Sequence, residues 1–306
     1  MRIHLLGTAA GGGVPQWNCR CAVCCEARAR TDRVQPRTQS TVAISADDRH
    51  WFLLNASPDL RTQLESFPPL HPPAGQIRGS TIEGVVLTNA DLDHTLGLPL
   101  LREGERFTIH ATAQVRRTLT EGISLAPTLD CFCGVNWVEP ASELAPLRCR
   151  DGAFSGLRYQ AISVAGKSPR YHRPDGIPMP GAVVGYRIVD DRTKGRLVFL
   201  PEVAHLDEAL RRELSDCEVL LFDGTFWSET EMSECGVGTT AAAAMGHLPI
   251  SGANGSLRLL AQLRIKEKVY FHLNNTNPVL FENSPQRAEV TAGGCKVAHD
   301  GMEFVL

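Results

Sequence analysis

The sequence has little that would bring it to nucleic acid or into a membrane. Its formal net charge at pH 7 is only −3 and its pI is near 6.4, so no excess of basic residues indicates binding to nucleic acid or to a membrane surface. No apolar run approaches the roughly 18 residues of a membrane span, and no charged-then-apolar leader opens the chain. We therefore expect a cytoplasmic protein without nucleic-acid partners or membrane insertion.

The chain also lacks internal repeats, low-complexity segments and a convincing linker. Its 306 residues are within reach of one large α/β domain, and a hydrophobic content of 43% is enough for a sizeable core. Strand patterns dominate the first half, whereas strands and helices alternate in the second. We therefore predict a single domain over residues 1–306, with two sheets face to face and helices outside.

Apolar patterning and turn residues predict the individual elements. Strands are predicted at 2–8, 41–44, 51–54, 82–87, 106–110, 157–164, 182–189, 196–200, 218–222 and 268–272. Helices are predicted at 95–102, 112–121, 205–215 and 254–264, and a helix start at Ser57-Pro-Asp59.

The segment 166–181 is too rich in Pro and Gly for regular structure, and long irregular loops are often binding loops. It carries Arg170 and Arg173, whose guanidinium groups can pair with carboxylates. A solvated loop without a ligand is the alternative.

The ten cysteines are not spread as a disulfide framework, because four of them fall within Cys19 to Cys25. The C-x-C-x-x-C spacing of Cys19, Cys21 and Cys24 favours a structural zinc ion over reactive or buried free thiols. The fourth zinc ligand stays open between His247 and the segment that contains Asn275. A second pair, Cys131 and Cys133, is more simply a buried apolar turn.

A cluster of polar side chains follows the predicted strand at 82–87. Asn89, Asp91, Asp93 and His94 stand at a strand-to-helix corner, where they can converge on one ion. With His272, which ends another strand, Asp93 and His94 make two imidazoles and one carboxylate, the set that suits non-haem Fe(II). A histidine at a strand end is more often structural, but several such residues at strand ends favour a metal site.

Three further residues belong with this cluster. Glu202 follows a strand and could add an oxygen ligand. Asp223 could orient a metal ligand through a hydrogen bond, or could simply be a turn residue before glycine. His247 could instead transfer protons, since histidine titrates near neutral pH.

Longer motifs identify a family. The sequence resembles pyrroloquinoline quinone (PQQ) biosynthesis protein B and, more widely, the metallo-β-lactamase superfamily. The resemblance covers essentially the whole chain and is carried by Leu6–Cys21, Thr88–Leu98, Gly185–Ile188, Leu221–Trp227, Gly246–Ser251 and His272–Pro278. It implies a metallo-β-lactamase-like αββα four-layer sandwich.

The resemblance also implies a reaction. In this family a peptide-derived species with crosslinked Glu and Tyr is thought to be hydroxylated on the tyrosine ring with iron and O₂. The product then passes to another enzyme of the PQQ pathway. Asp93, His94 and His272 match the second metal site of the superfamily, and Glu202 stands where a bridging Asp is usual. Asn89 and Asp91 replace histidines of the first site, which favours a single metal with open positions.

On this interpretation the protein is an iron-dependent oxygenase. Asn89, Asp91 and His247 would handle protons or hold the substrate, and Arg170 or Arg173 would hold its carboxylates. Two alternatives remain: a metal-dependent hydrolase, and a non-catalytic carrier of PQQ or its precursor toward the periplasm.

Overall fold

The computed structural model describes residues 1–306. Its strands are β1 (Arg2–Gly7), β2 (Thr41–Ser45), β3 (Trp51–Leu54), β4 (Ile82–Val86), β5 (Phe107–His110), β6 (Val135–Val138), β7 (Ala145–Arg148), β8 (Phe154–Ser163), β9 (Val184–Asp190), β10 (Arg196–Leu200), β11 (Val219–Asp223), β12 (Glu267–Phe271), β13 (Lys296–Val297) and β14 (Glu303–Val305). Its α-helices are α1 (Ala22–Ala29), α2 (Leu60–Ser66), α3 (Leu92–Thr95), α4 (Ala113–Glu121), α5 (Leu125–Asp130), α6 (Glu208–Leu214), α7 (Glu231–Glu234), α8 (Ser256–Leu260) and α9 (Pro285–Ala292). Short 3₁₀ helices lie at Pro68–Leu70, Leu98–Glu103, Ala243–Met245 and Pro278–Leu280. None of the helices has the length and apolar character needed to cross a membrane.

The chain divides into two compact units. The first unit contains Met1–Leu6, Thr41–Arg196 and Gly301–Leu306, and the second unit contains Gly7–Ser40 and Leu197–Asp300. The single domain over residues 1–306 stays a prediction.

A mixed sheet organises the first unit. Its strand order is β14-β1-β2-β3-β4-β5-β6, and β3 to β6 run parallel. The strands β3 and β4 are buried along their whole length and pack on α2, α4 and α5 through a continuous apolar core. Such continuous apolar strands are typical of parallel sheets that are covered on both faces. The antiparallel strands β7, β8 and β9 complete this unit.

The second unit is built on four parallel strands in the order β13-β12-β11-β10. Every residue of β11 is buried, and so is all but the first residue of β10 and of β12. Because parallel strands end at the same edge of a sheet, the residues that follow β10, β11 and β12 meet there. Glu202 and His272, which follow β10 and β12, lie at this edge with Asp223, the last residue of β11.

Most of the predicted elements are confirmed. Each predicted strand is present, with its ends shifted by at most three residues. The helix predicted at 95–102 is wrong in detail, because α3 ends at Thr95 and a 3₁₀ helix follows at Leu98–Glu103. Pro99 at the start of that second segment cannot continue the α-helical hydrogen bonds of the first. The helix α1, which begins inside the cysteine cluster, was not predicted.

The predicted buried turn at Cys131 and Cys133 is wrong in its burial. Cys131 is exposed, Cys133 is half-buried, and 63% of the surface of Phe132 is exposed. The ring of Phe132 lies under the guanidinium group of Arg102, 5.8 Å away, rather than in the core. A cation-π contact at the surface therefore replaces the expected apolar burial.

Candidate metal sites

In the first unit, the residues after β4 form a hydrogen-bonded chain. The Nδ2 group of Asn89 donates to Asp91 Oδ2 over 2.7 Å, and the backbone N–H of Asp91 donates to Asn89 Oδ1 over 3.1 Å. The same Oδ1 lies 2.7 Å from Nδ1 of His94, which is buried. Asp91 therefore sets the orientation of the Asn89 amide, and Asn89 sets the orientation of the His94 ring.

This chain of contacts determines which nitrogen of His94 carries the proton. An amide oxygen can only accept, so Nδ1 of His94 must donate to Asn89. The lone pair of the imidazole is then on Nε2, the tautomer that a metal ligand needs. Oδ2 of Asp93 lies 3.9 Å from this Nε2. Asn89 and Asp91 thus orient the imidazole of His94 through hydrogen bonds.

In the second unit, the carboxylate of Asp223 is the centre of a buried network. Its Oδ1 accepts from the N–H and the hydroxyl of Thr225, over 3.0 Å and 2.7 Å. Its Oδ2 accepts from the N–H of Val203 over 2.9 Å and lies 2.8 Å from His247 Nδ1. Burial opposes ionisation of Asp223, but the charge and hydrogen bond of His247 outweigh it, so the pKa of Asp223 is lowered.

Thr225 connects this network to His272. Its hydroxyl lies 2.8 Å from Nδ1 of His272, and the His272 backbone is held at a φ of 60° just after β12. Since the hydroxyl donates to Asp223, it accepts from Nδ1–H, which places the lone pair of His272 on Nε2. His272 is therefore held in the same tautomer as His94, but by a hydrogen bond to Thr225 instead of Asn89.

Ligand atoms of Asp223, His247 and His272 lie within 4.8 Å of one another in the second unit. The rings of His247 and His272 are stacked, with centroids 5.5 Å apart. The Asp223–His247 pair is a carboxylate–imidazole pair that can hold and deliver a proton. Glu202 is buried beside Gly246, where a Cβ would come within 2.9 Å of Glu202 Oε1.

The three predicted zinc thiols converge. Sγ atoms of Cys19, Cys21 and Cys24 lie within 4.8 Å of one another, and the backbone N–H groups of Cys21 and Cys24 point to sulfur. Burial raises the pKa of Cys21 to about 12, with the two neighbouring thiols adding to it. Burial and the neighbouring thiols therefore disfavour the thiolate form. A divalent ion would neutralise the thiolate charge, so the three sulfur ligands fit zinc.

Of the two residues considered for the fourth ligand, the structure brings Asn275 to the sulfur atoms. Its Nδ2 lies 3.2 Å from Cys19 Sγ and 3.3 Å from Cys24 Sγ. His247 is bound to Asp223 instead. The two ends of an amide are interchangeable in shape, so turning the Asn275 amide over would present Oδ1 to an ion.

The long loop is irregular, as predicted, and its two arginines differ. The guanidinium group of Arg173 pairs with Asp175 in the same loop, 2.6 Å from Oδ2, whereas Arg170 is exposed and makes no ion pair. Tyr171 donates to the carbonyl of Ala90 over 2.5 Å, which ties this loop to the Asn89 segment. Burial, aided by the charge of Asp91, raises the pKa of Tyr171.

Sequence reasoning missed the role of Thr225, and it singled out Tyr171 only as part of the aromatic and cationic loop, without its contact. Thr225 follows Asp223 by two residues, a spacing at which a side chain can hydrogen-bond its own turn, so a local signal was available. The contact of Tyr171 gave no signal, because its partner Ala90 is distant in sequence and is contacted through its backbone carbonyl.

Comparison with known proteins agrees with this architecture. Residues 50–273 match the model of the β-lactamase superfamily domain. The chain is 44% identical to coenzyme PQQ synthesis protein B of Ectopseudomonas mendocina and 42% identical to that of Methylobacterium radiotolerans, with 100% of each chain covered.

Solved structures give the same picture. The crystal structure of zinc-bound PqqB from Methylobacterium extorquens has a TM-score of 0.91 at 40% identity, with 100% of both chains covered. A diphosphatase of the PhnP family, at 19% identity, has a TM-score of 0.67 over 100% of this chain and 97% of its own, a likeness of fold alone. The predicted metallo-β-lactamase-like α/β fold is confirmed, and the chain belongs to the coenzyme PQQ synthesis protein B family of the β-lactamase superfamily.

Proposed function

We propose that this chain acts in the synthesis of coenzyme PQQ as an iron- and O₂-dependent hydroxylase. Its substrate is the peptide-derived species in which Glu and Tyr are crosslinked, and the position hydroxylated is on the tyrosine ring. The product passes to another enzyme of the same pathway. The names of the relatives support the pathway, and the residues below support the chemistry.

The observation that carries this proposal is that hydrogen bonds hold two histidines in the same tautomer. His94 and His272 each have Nδ1 engaged by a neighbouring side chain, Asn89 and Thr225 respectively. Each therefore offers the lone pair of Nε2 to a metal ion, and Asp93 adds a carboxylate. Two imidazoles and one carboxylate suit Fe(II) with open coordination positions. We take this ligand set from the sequence motif, with Asp93 and His94 in the first unit and His272 in the second.

Iron(II), when bound, would supply the one-electron chemistry with O₂ that hydroxylation of an aromatic ring requires. One oxygen atom enters the ring, and the other leaves as water with two electrons from an external reductant. The protein's own groups orient the ligands and manage protons. His247, held by the ionised Asp223, accepts the proton lost from the ring carbon and passes it to solvent. Glu202 is a further oxygen donor at the same strand edge, and the exposed Arg170 pairs with a substrate carboxylate.

Asn89 and Asp91 have a positioning role in this proposal. Their hydrogen bonds run to each other and to His94 over 2.7 Å steps, so they hold an imidazole rather than a second metal. The superfamily's two-metal hydrolysis needs histidine ligands at these positions. A single metal with open positions agrees better with oxygen chemistry than with two-metal hydrolysis.

The test is reconstitution of the full chain with Fe(II) under anaerobic conditions, followed by O₂, an external two-electron reductant and the crosslinked Glu-Tyr substrate. We expect a mass gain in units of one oxygen atom, which is absent with Zn²⁺ and in the His272→Ala variant. His299→Ala, which changes an exposed histidine, is the matched control. Full turnover in His272→Ala would refute the ligand set. Tight binding without a mass gain would support a carrier, and a gain of water would support a hydrolase.

A further inference from the structure

A second group of metal-binding side chains lies in the first unit, at the opposite end of β4 from Asn89 and His94. Ligand atoms of His50, Glu83 and Cys149 all lie within 4.8 Å of one another. They line a cavity of about 480 Å³ together with Arg150 and Asp151. His50 immediately precedes β3 and Glu83 is the second residue of β4, so this cluster belongs to the amino ends of the parallel strands.

An irregularity of the sheet directs Glu83 into this cluster. Trp51 pairs with Ile82, whereas the next residue, Phe52, pairs with Gly84, so Glu83 is an extra residue without a partner on β3. Such a bulge turns a side chain out of the regular alternation and is frequent beside functional sites. Glu83 is 7% exposed, and its Oε2 accepts from the backbone N–H of Arg150 over 2.8 Å.

Hydrogen bonds also fix the positions of His50 and Cys149. Nδ1 of His50 lies 2.7 Å from Asp47 Oδ2, and Asp47 is fixed in turn by the backbone N–H groups of Arg49 and His50. Cys149 is buried in a turn that is closed by two backbone hydrogen bonds of 2.9 Å, to Gly152 and Ala153. A carboxylate on Nδ1 leaves the lone pair of His50 on Nε2, as in many histidine ligands of metals.

We propose that His50, Glu83 and Cys149 bind a zinc ion, that Asp47 orients His50, and that water from the cavity takes the fourth position. Imidazole, carboxylate and thiolate are all ligands of zinc, and three of them with one open position is the pattern of a reactive rather than a purely structural site. The site is independent of the proposed hydroxylase reaction, because its residues take no part in that reaction.

The local charge agrees with a cation at this place. Asp47, Glu83 and Asp151 all lie near the thiol. The guanidinium of Arg150 contacts Glu83 Oε2 over 3.4 Å and also binds the Ser80 carbonyl and Glu105, so three carboxylates face this one cation. Burial, and then these carboxylates, raise the pKa of Cys149 to about 11. Zinc binding would therefore displace the thiol proton.

Zinc content per chain and a cobalt spectrum test the proposal. The full-length protein is loaded with zinc, freed of excess metal and analysed for metal per chain. We expect His50→Ala and Cys149→Ser each to lose one zinc relative to the natural chain. With Co²⁺, the Cys149→Ser variant should also lose part of the thiolate-to-metal charge-transfer band.

Matched controls separate this site from the cysteine cluster. His299→Ala changes another exposed histidine, and Cys295→Ser changes another buried cysteine whose pKa is raised to about 11. Both controls should keep the full zinc content. His50 is exposed, so His50→Ala keeps the test valid even if Cys149→Ser fails to fold. Unchanged zinc content in His50→Ala would overturn the proposal.

Discussion

The side-chain oxygen of Asn89 lies 2.7 Å from Nδ1 of the buried His94, and the amide that carries this oxygen is itself oriented by Asp91. This position, where the superfamily resemblance implies a histidine, holds a hydrogen-bond acceptor. The acceptor places the lone pair of His94 on Nε2. Asn89 therefore orients the His94 ring, which we propose to be a metal ligand.

Removing this acceptor should weaken metal binding. In Asn89→Ala the ring of His94 loses its orienting partner, and loss of such a partner typically lowers metal affinity about 10- to 100-fold. Asn89→Asp keeps an acceptor oxygen for Nδ1 but loses the donor to Asp91, so its metal affinity should fall between those of Asn89→Ala and the natural chain. Anaerobic titration with Fe(II) against a chromophoric chelator measures both. Equal affinities in all three proteins would show that Asn89 does not orient a ligand.

Thr225 gives the corresponding prediction in the second unit. Its hydroxyl links Asp223 to Nδ1 of His272, so Thr225→Val should lower Fe(II) affinity by about 10- to 100-fold. Thr225→Ser retains the hydroxyl and should stay close to the natural value. The same chelator competition measures the effect. An unchanged affinity in Thr225→Val would remove Thr225 from the proposed site.

Substituting one cysteine inside the cluster and one beside it tests the proposed zinc site. Cys21→Ser removes one of the three converging sulfurs and should lower the zinc content by one per chain. It should also lower the melting temperature, since zinc binding adds to folding free energy. Cys25→Ser is the control, because Cys25 is exposed and stands outside the sulfur cluster. Metal analysis and thermal unfolding of the two variants decide the matter, and equal zinc content would contradict the site.

Buried His110 predicts a loss of stability in acid. Burial lowers its pKa to about 4, whereas a histidine in the unfolded chain titrates near about 6.5. Between these pH values the unfolded state binds more protons than the folded state. The stabilisation that comes from keeping His110 neutral is therefore complete above pH 6.5 and is lost as the pH falls toward 4. The loss from this one group is about 3 kcal/mol.

His110→Gln tests this assignment, since it removes the titration and keeps a partner for Tyr159, whose hydroxyl lies 2.8 Å from Nδ1 of His110. Urea unfolding at several pH values should show a shallower fall in stability for the variant between pH 6.5 and 4. Parallel curves for the two proteins would place the acid sensitivity elsewhere.

The local parts of this protein could be predicted from its sequence. Apolar runs located ten of the fourteen strands, because apolar patterning depends on neighbours in the chain. Asp93 and His94 were expected to precede a helix but lie within α3. The short spacing of Cys19, Cys21 and Cys24 likewise allowed only a compact thiol cluster. The break between α3 and the 3₁₀ helix was missed, although Pro99 was a visible signal.

Contacts between distant segments could not be predicted in this way. The place of Asn275 among the sulfurs of Cys19 and Cys24 depends on how the chain returns after β12. The proximity of Glu83 to Cys149 depends on one extra residue in β4 where it pairs with β3. No pattern in the sequence marks that bulge, because the neighbouring residues are apolar in either register.

By itself, therefore, the sequence determined most of the strands, the family and the residue types that can bind a metal. Only the tertiary structure decided which of these side chains meet and which orient one another, as Asn89 does for His94 and Thr225 for His272. The reason is physical. Secondary structure follows from side chains a few residues apart, whereas the position of a hydrogen-bond donor within about 3 Å of its acceptor depends on the packing of the whole core.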